Sequence, residues 1–266
     1  MVSHAIAKGE PVAAYNHTEL DITDEAAIDK AFHSSCPDVV INCAAWTDVD
    51  GCEFDHERAI AANARGPELL ALACRDADAL LITISTDYVF DGTKDGFYTQ
   101  LDQPNPISVY GESKLAGEVR AKAAWDRTVI VRSGYIFGPG GTNFLSTLIS
   151  RARQGERLTA ISDMAGTPTF SIDLAARIYD FACLNHPEIY HVVNDGDGVT
   201  FAGFALKALE MAGLNAELVS PISLESLARP AKRPRNSRLR CLVSDELGLK
   251  PLPLWQEALA RFIRTE

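Results

Sequence analysis

Residues 80–92 read Leu80-Leu81-Ile82-Thr83-Ile84-Ser85-Thr86-Asp87-Tyr88-Val89-Phe90-Asp91-Gly92, an apolar run of strand length that ends in hydroxyl and carboxyl side chains. A strand apolar on both faces belongs inside a parallel sheet covered by helices on either side. Ligands of open α/β sheets gather outside the carboxyl ends of the strands. Ser85 and Thr86 are therefore placed where a ligand is expected, with a hydroxyl able to hold a carbonyl oxygen. By themselves they also read as a plain strand terminus with an Asx-type turn at Asp87.

Working outward, similar runs occur at Val12 to Tyr15, Val39 to Cys43, Val129 to Arg132 and Ile189 to Val193. Between them, Asp24 to Phe32, Glu57 to Cys74, Tyr110 to Ala123, Asn143 to Arg153 and Ile172 to Leu184 space apolar residues at three- and four-residue steps. Strands alternating with amphipathic helices predict an α/β fold with a doubly wound parallel sheet of the Rossmann type. After about Gly134 the chain becomes richer in Gly-containing turns and carries a basic, Pro-containing stretch from Arg229 to Arg240. Residues 1–134 are thus expected to form a dinucleotide-binding domain. Residues 135–266 are expected to form mainly a smaller C-terminal substrate-binding lobe, with elements returning to the main sheet.

Composition narrows the partners. In 266 residues, 47% hydrophobic and 23% charged, the formal net charge is −11. This balance suits a soluble globular protein and argues against a general nucleic-acid binder, which needs surplus Lys and Arg. No segment has the length of a membrane span. Six cysteines without a C-x-x-C pair read as buried free thiols in a reducing cytoplasm. The histidines show no metal-ligand spacing, so no metal is assigned from them. Gly138-Pro139-Gly140-Gly141 lacks the Gly-Lys-Ser/Thr ending of a phosphate loop and reads as a turn.

The chemistry concentrates in Tyr110-Gly111-Glu112-Ser113-Lys114, a Tyr-x-x-x-Lys at the start of a helix. Residues four apart share a helix face, so phenol and ammonium look into one cleft, and a neighbouring cation favours the phenolate. The same spacing also occurs by chance on surface helices. The run Asp38 to Cys43 ends in Ala44 and Ala45, small residues that let a cofactor approach the backbone, followed by Trp46 and Thr47. Asp21 and Ile22 are placed to meet an adenine ring, although alone they read as a helix N-cap region.

Ser85-Thr86-Asp87-Tyr88-Val89-Phe90-Asp91-Gly92 followed by Tyr110-Gly111-x-Ser113-Lys114-Leu115-x-Gly117-Glu118 resembles the extended short-chain dehydrogenases, specifically the dTDP-4-dehydrorhamnose reductase family. Asn42-Cys43-Ala44-Ala45-Trp46-Thr47-x-Val49-Asp50, Asn143-Phe144, Gly166-x-Pro168-Thr169 and Arg233-Pro234-x-Asn236-Ser237-x-Leu239 resemble further motifs of that family. The resemblance implies reduction of the 4-keto group of dTDP-4-dehydro-L-rhamnose by a nicotinamide cofactor. It makes Tyr110 the proton donor, Lys114 the residue that binds the nicotinamide ribose and lowers the tyrosine pKa, and Thr86 the group that orients the substrate oxygen. It places Asp21, Ile22, Ala44, Ala45 and Trp46 at the cofactor. It places Asp87, Tyr135, Arg233 and Arg235 at the substrate, the arginines facing the diphosphate. Where the family has Trp, this chain has Tyr135.

The segment Tyr15-Asn16-His17 has no acid before Glu19, which favours NADPH over NADH, with dual use open. The resemblance leaves a homodimer and a magnesium ion open. Two other functions stay in view: a non-catalytic regulatory subunit of the same fold, like that of methionine adenosyltransferase, and another nucleotide-sugar epimerase or dehydratase.

Ala5 to Gly9 reads as the last turn of a helix closed by Gly9. The first strand and the glycine-rich turn of the fold would precede it, and the sequence contains neither. The expectation is an N-terminally incomplete domain that binds NAD(P)H poorly or not at all, with the strands near Val12 to Tyr15 and Leu80 to Ser85 flanking an unfilled position.

Overall fold

The structure, a computed structural model, describes residues 1–141 and 143–265. Its main sheet holds three labelled strands, β1 (Val39–Asn42), β2 (Leu80–Thr86) and β3 (Thr128–Ser133), followed in space by the strand Ile189–His191. All three pairings are parallel, so each carboxyl end points to the same edge. The register sets Ser85 opposite Arg132, Thr86 opposite Ser133 and Arg132 opposite His191.

Alternation along β2 explains both layers of the core, because successive side chains of a strand point to opposite faces. Leu81 joins Ile28, Leu69, Leu70, Cys74 and Ala121 beneath helices α2 (Glu25–Ser35), α5 (Gly66–Asp76) and α6 (Val109–Ala124). Leu80 and Ile82 join Val129 and Val131 against Ile178 and Phe181 of the helix Ser171–Leu184. Leu81 is wholly buried, and truncating such a residue to Ala costs about 2–5 kcal/mol. A separate aromatic core, with Phe137, Phe170, Phe204, Trp255 and Phe262, lies among the helices Phe144–Arg153, Phe201–Met211 and Trp255–Ile263.

Several sequence expectations are corrected. Val12 to Tyr15 is not a strand; Val12 and Tyr15 are exposed, with no sheet hydrogen bonds in this segment. β1 stands at one margin of the sheet, opposite the strand Ile189–His191 at the other, whereas β2 is paired on both sides. The segment Glu57 to Cys74 is not one helix. It runs as His56–Ile60, a π-helical turn Ala61–Arg65, and α5. Of the six free cysteines only Cys52 and Cys74 are buried; Cys36, Cys43 and Cys183 are exposed and Cys241 is half-buried. The helix ending near Gly9 is present as α1 (Val2–Ala7), and Gly9 follows it at φ +83°.

The π turn has a tertiary cause and a consequence. It carries the buried Asn63, whose amide donates to the Trp46 carbonyl (3.0 Å) and to Ser113 Oγ (3.0 Å) while its Oδ1 accepts from the Trp46 N–H (2.8 Å). A π bulge accommodates such an inserted side chain, and single π turns recur at functional sites. Helix α6 approaches so closely that a Cβ at Gly117 would lie 2.1 Å from the Asn63 carbonyl oxygen. One asparagine thereby ties the end of β1 to α6.

Candidate active site

The carboxyl ends of β1, β2 and β3 open onto a cavity of about 340 Å³ lined by Ala45, Thr86, Asp87, Tyr110, Lys114 and Tyr135, among others. That volume lies within the range of small-molecule sites. Ser108 caps α6 by accepting from the Gly111 N–H (3.2 Å), so Tyr110 and Lys114 project from its first two turns.

Tyr110 does not behave as the sequence suggested. Burial pushes its phenol up to about 12, with the Thr86 hydroxyl as hydrogen-bond partner drawing it partly back. Lys114 instead donates to the Ile84 carbonyl at 2.7 Å. Burial brings its ammonium down to about 8, against the nearby Glu118 carboxylate, which holds it up. The phenol is therefore a neutral acid across the physiological range, and the cation is anchored to β2 before anything else binds.

Asp87 is a buried carboxyl sealed beneath a glycine. A Cβ at Gly134 would sit 2.3 Å from its carboxyl carbon. Burial pushes Asp87 up to about 6, opposed by hydrogen bonds from Ser237 and Thr86. Tyr135 follows with φ +54°, a backbone conformation costly for a large L-residue and one that clusters at ligand sites. Its ring packs on Phe201 at 3.9 Å between centroids, and its hydroxyl is buried with no hydrogen-bond partner among the described residues.

Other expected residues lie off the cavity. Ala44 and Trp46 stand beside it at the end of β1, the Trp46 ring covered by Arg58 at 4.5 Å. Asp21 accepts from the Thr23 N–H (2.9 Å) in a turn, and Ile22 packs against Gly66. Arg233 is bound by Asp50, and Arg235 is paired with Glu225 and with Asp163. Sequence reading gave no role to Gly134, Ser237, Asp50 and Glu118, although the last three stand within the quoted motifs. A glycine directly after the buried Arg132-Ser133 was the available signal for the first. Among the described residues no group of three or more His, Cys, Asp or Glu side chains is arranged to hold a metal ion.

The family model described as RmlD substrate binding domain matches residues 1–266. The dTDP-4-dehydrorhamnose reductase of Streptomyces griseus is 38% identical over 258 residues, spanning 95% of this chain and 84% of the relative. The chain belongs to the dTDP-4-dehydrorhamnose reductase family. Another family member, from Mycolicibacterium smegmatis, is 38% identical over 262 residues, covering 97% of this chain and 79% of its own length. In three dimensions the chain is similar to the dTDP-4-dehydrorhamnose reductase of Bacillus anthracis crystallised in complex with NADP. That comparison gives a TM-score of 0.94 at 32% identity, over 98% of this chain and 92% of that one. This family member therefore shares both the parallel sheet and the placement of its strand ends with a nicotinamide-nucleotide-binding relative. Among its described residues no helix is long and apolar enough to cross a membrane.

Proposed function

We propose that this chain reduces the 4-keto group of dTDP-4-dehydro-L-rhamnose to give dTDP-L-rhamnose, using NADPH or NADH. The observation that carries the reading is the meeting of Thr86, Tyr110 and Lys114 at one cavity on the carboxyl edge of the sheet. The residues present fit the nicotinamide riboside end of the cofactor. Lys114 spends one donor on Ile84 O, and an ammonium has three to offer. The small residue Ala45 keeps the facing wall low, with Ala44 and Trp46 beside it. When bound, the cofactor supplies the hydride.

Thr86 Oγ1 and the Tyr110 hydroxyl bind the substrate carbonyl oxygen and place its carbon for attack. A phenol near 12 remains protonated until charge develops on that oxygen, then transfers its proton to the alkoxide. The proton lost from Tyr110 is replaced from solvent. Lys114 favours the transient phenolate by its charge. Asp87 and Tyr135 bound the sugar. Arg235, half-exposed on the basic loop, is the proposed contact to the diphosphate, while Arg233 orders that loop through Asp50. Asp21 and Ile22, in the turn before α2, are the proposed adenine end. Residues 1–134 serve the cofactor and 135–266 mainly the substrate, and the free thiols suit a cytoplasmic enzyme. The test is nicotinamide oxidation that depends on added dTDP-4-dehydro-L-rhamnose, with dTDP-L-rhamnose identified as product. Folded protein that produces none refutes the reading.

A further inference from the structure

Thr86 has a single hydroxyl proton and two groups that compete for it. Its Oγ1 caps the short helical turn Asp87–Val89 by accepting from the Tyr88 N–H at 3.2 Å, which occupies one of its two lone pairs. Its proton goes to Asp87 Oδ1, 3.1 Å away. An ionised carboxylate can only accept, so in that state the threonine proton is committed to Asp87 and is not available to a substrate oxygen. A protonated Asp87 reverses the bond. The carboxyl O–H then donates to the remaining lone pair of Thr86, and the threonine proton is free for the cavity that Thr86, Asp87 and Tyr110 line together.

We propose that Asp87 is a positioning residue for the reduction, acting through Thr86, which donates to the substrate carbonyl only while Asp87 carries a proton. The part Thr86 plays toward substrate rests on the function proposed above; the bond between Thr86 and Asp87 does not.

The surroundings give Asp87 no counter-charge. From the end of its own strand it is faced by Tyr88, from α6 by Tyr110, from the end of β3 by Tyr135 and from the basic loop by Ser237. Burial pushes all three phenols up, so each is neutral. The cations are engaged elsewhere. Arg229 and Arg233, which act on the adjoining Tyr88, are bound by Asp50, and Lys114 by the Ile84 carbonyl. The backbone also closes over the carboxyl, since a Cβ at Gly134 would collide with all three of its atoms. Burial therefore favours the protonated form up to about pH 6, and the hydrogen bonds from Ser237 and Thr86 are what support the ionised one.

The experiment sets a titration beside a rate. The carboxyl carbon of Asp87, labelled with ¹³C and assigned by its disappearance in Asp87→Asn, is titrated by NMR in the free protein, and kcat/KM for dTDP-4-dehydro-L-rhamnose is followed over the same pH range. Thr86→Val deletes the donor and should raise the Asp87 titration by about one unit. In the wild type kcat/KM should fall about tenfold per pH unit above that titration, a decline that Asp87→Asn, whose amide never ionises, should lose. Ser237→Ala removes another donor to the carboxylate and should carry titration and decline upward by the same amount, a joint shift that a merely structural role would not produce. It decides the matter where Asp87→Asn turns over too slowly to profile. An Asp87 titration unmoved by Thr86→Val overturns the proposal, as does a decline that survives in Asp87→Asn or stays in place while the titration moves. Absence of wild-type turnover is a separate result, which refutes the proposed reduction itself and takes this role of Asp87 with it.

Discussion

Arg233 is held by Asp50 through a two-pronged ion pair, with N–O distances of 2.7 and 2.8 Å, and the same carboxylate also accepts from the Ala231 N–H at 3.1 Å and from Arg229 at 3.1 Å. The basic loop that looked from sequence like an open diphosphate site is thus fastened to the helix Val49–Phe54, which follows the end of β1. Fork-on-fork geometry is the strongest arrangement available to this pair of groups.

Asp50→Ala and Arg233→Ala should therefore be strongly non-additive. A double-mutant cycle on unfolding is expected to give a coupling of roughly 1–3 kcal/mol. The Arg233 hydrogen bond holds the Asp50 carboxyl well below the usual carboxylate range. Its contribution is complete above the unfolded value of about 4 and is lost as pH falls below it. Coupling that vanishes at pH 7, or is unchanged at pH 2.5 in protein that still folds, would show the clamp to be incidental.

Tyr110→Phe keeps the ring and removes the proton. Turnover should fall by about 10²- to 10⁴-fold while the melting temperature changes little. Near-normal turnover in the folded variant would remove Tyr110 from the chemistry.

Asp87 titrates in the opposite sense to Asp50. Burial raises its folded pKa to about 6, so the protonated form is favoured in the native state. Its stabilising contribution is present below about pH 4 and is lost as pH rises through about 6. Relative to wild type, Asp87→Asn should gain thermal stability between pH 4 and 6 and hold that gain above. Melting curves of the two proteins over pH 4 to 8 that stay parallel would contradict this.

The unpartnered hydroxyl of Tyr135 gives a paired prediction. Leaving a buried hydroxyl without a partner costs about 1–3 kcal/mol, so Tyr135→Phe should be neutral or stabilising in the free protein while weakening binding of the nucleotide sugar. Calorimetry on both variants separates the effects. A destabilised Tyr135→Phe protein with unchanged sugar affinity would mean that the hydroxyl already has its partner within the fold.

How far the sequence reaches can be seen residue by residue. Strand β2 was legible because seven buried or nearly buried side chains leave no room for any other element, and Tyr110 and Lys114 because α6 fixes residues four apart on one face. Val12 to Tyr15 misled because apolar composition marks a strand only where a neighbouring strand satisfies its backbone. The break at Ala61 was hidden because Asn63 acts through tertiary hydrogen bonds to Trp46 and Ser113 that no local period encodes. Arg233 and Glu118 teach the same lesson for charge. Asp50 is 183 residues from its partner in sequence, and whether a cation faces solvent, a ligand or a carboxylate is decided by folding.

The central claim is tested most directly by following the hydride. With NADPH deuterated at the transferred position of C4 and dTDP-4-dehydro-L-rhamnose, the product is expected to be dTDP-L-rhamnose carrying one deuterium at C4 of the sugar, detected by mass spectrometry and NMR. Folded protein that forms no dTDP-L-rhamnose, or a product without that deuterium, would contradict the account.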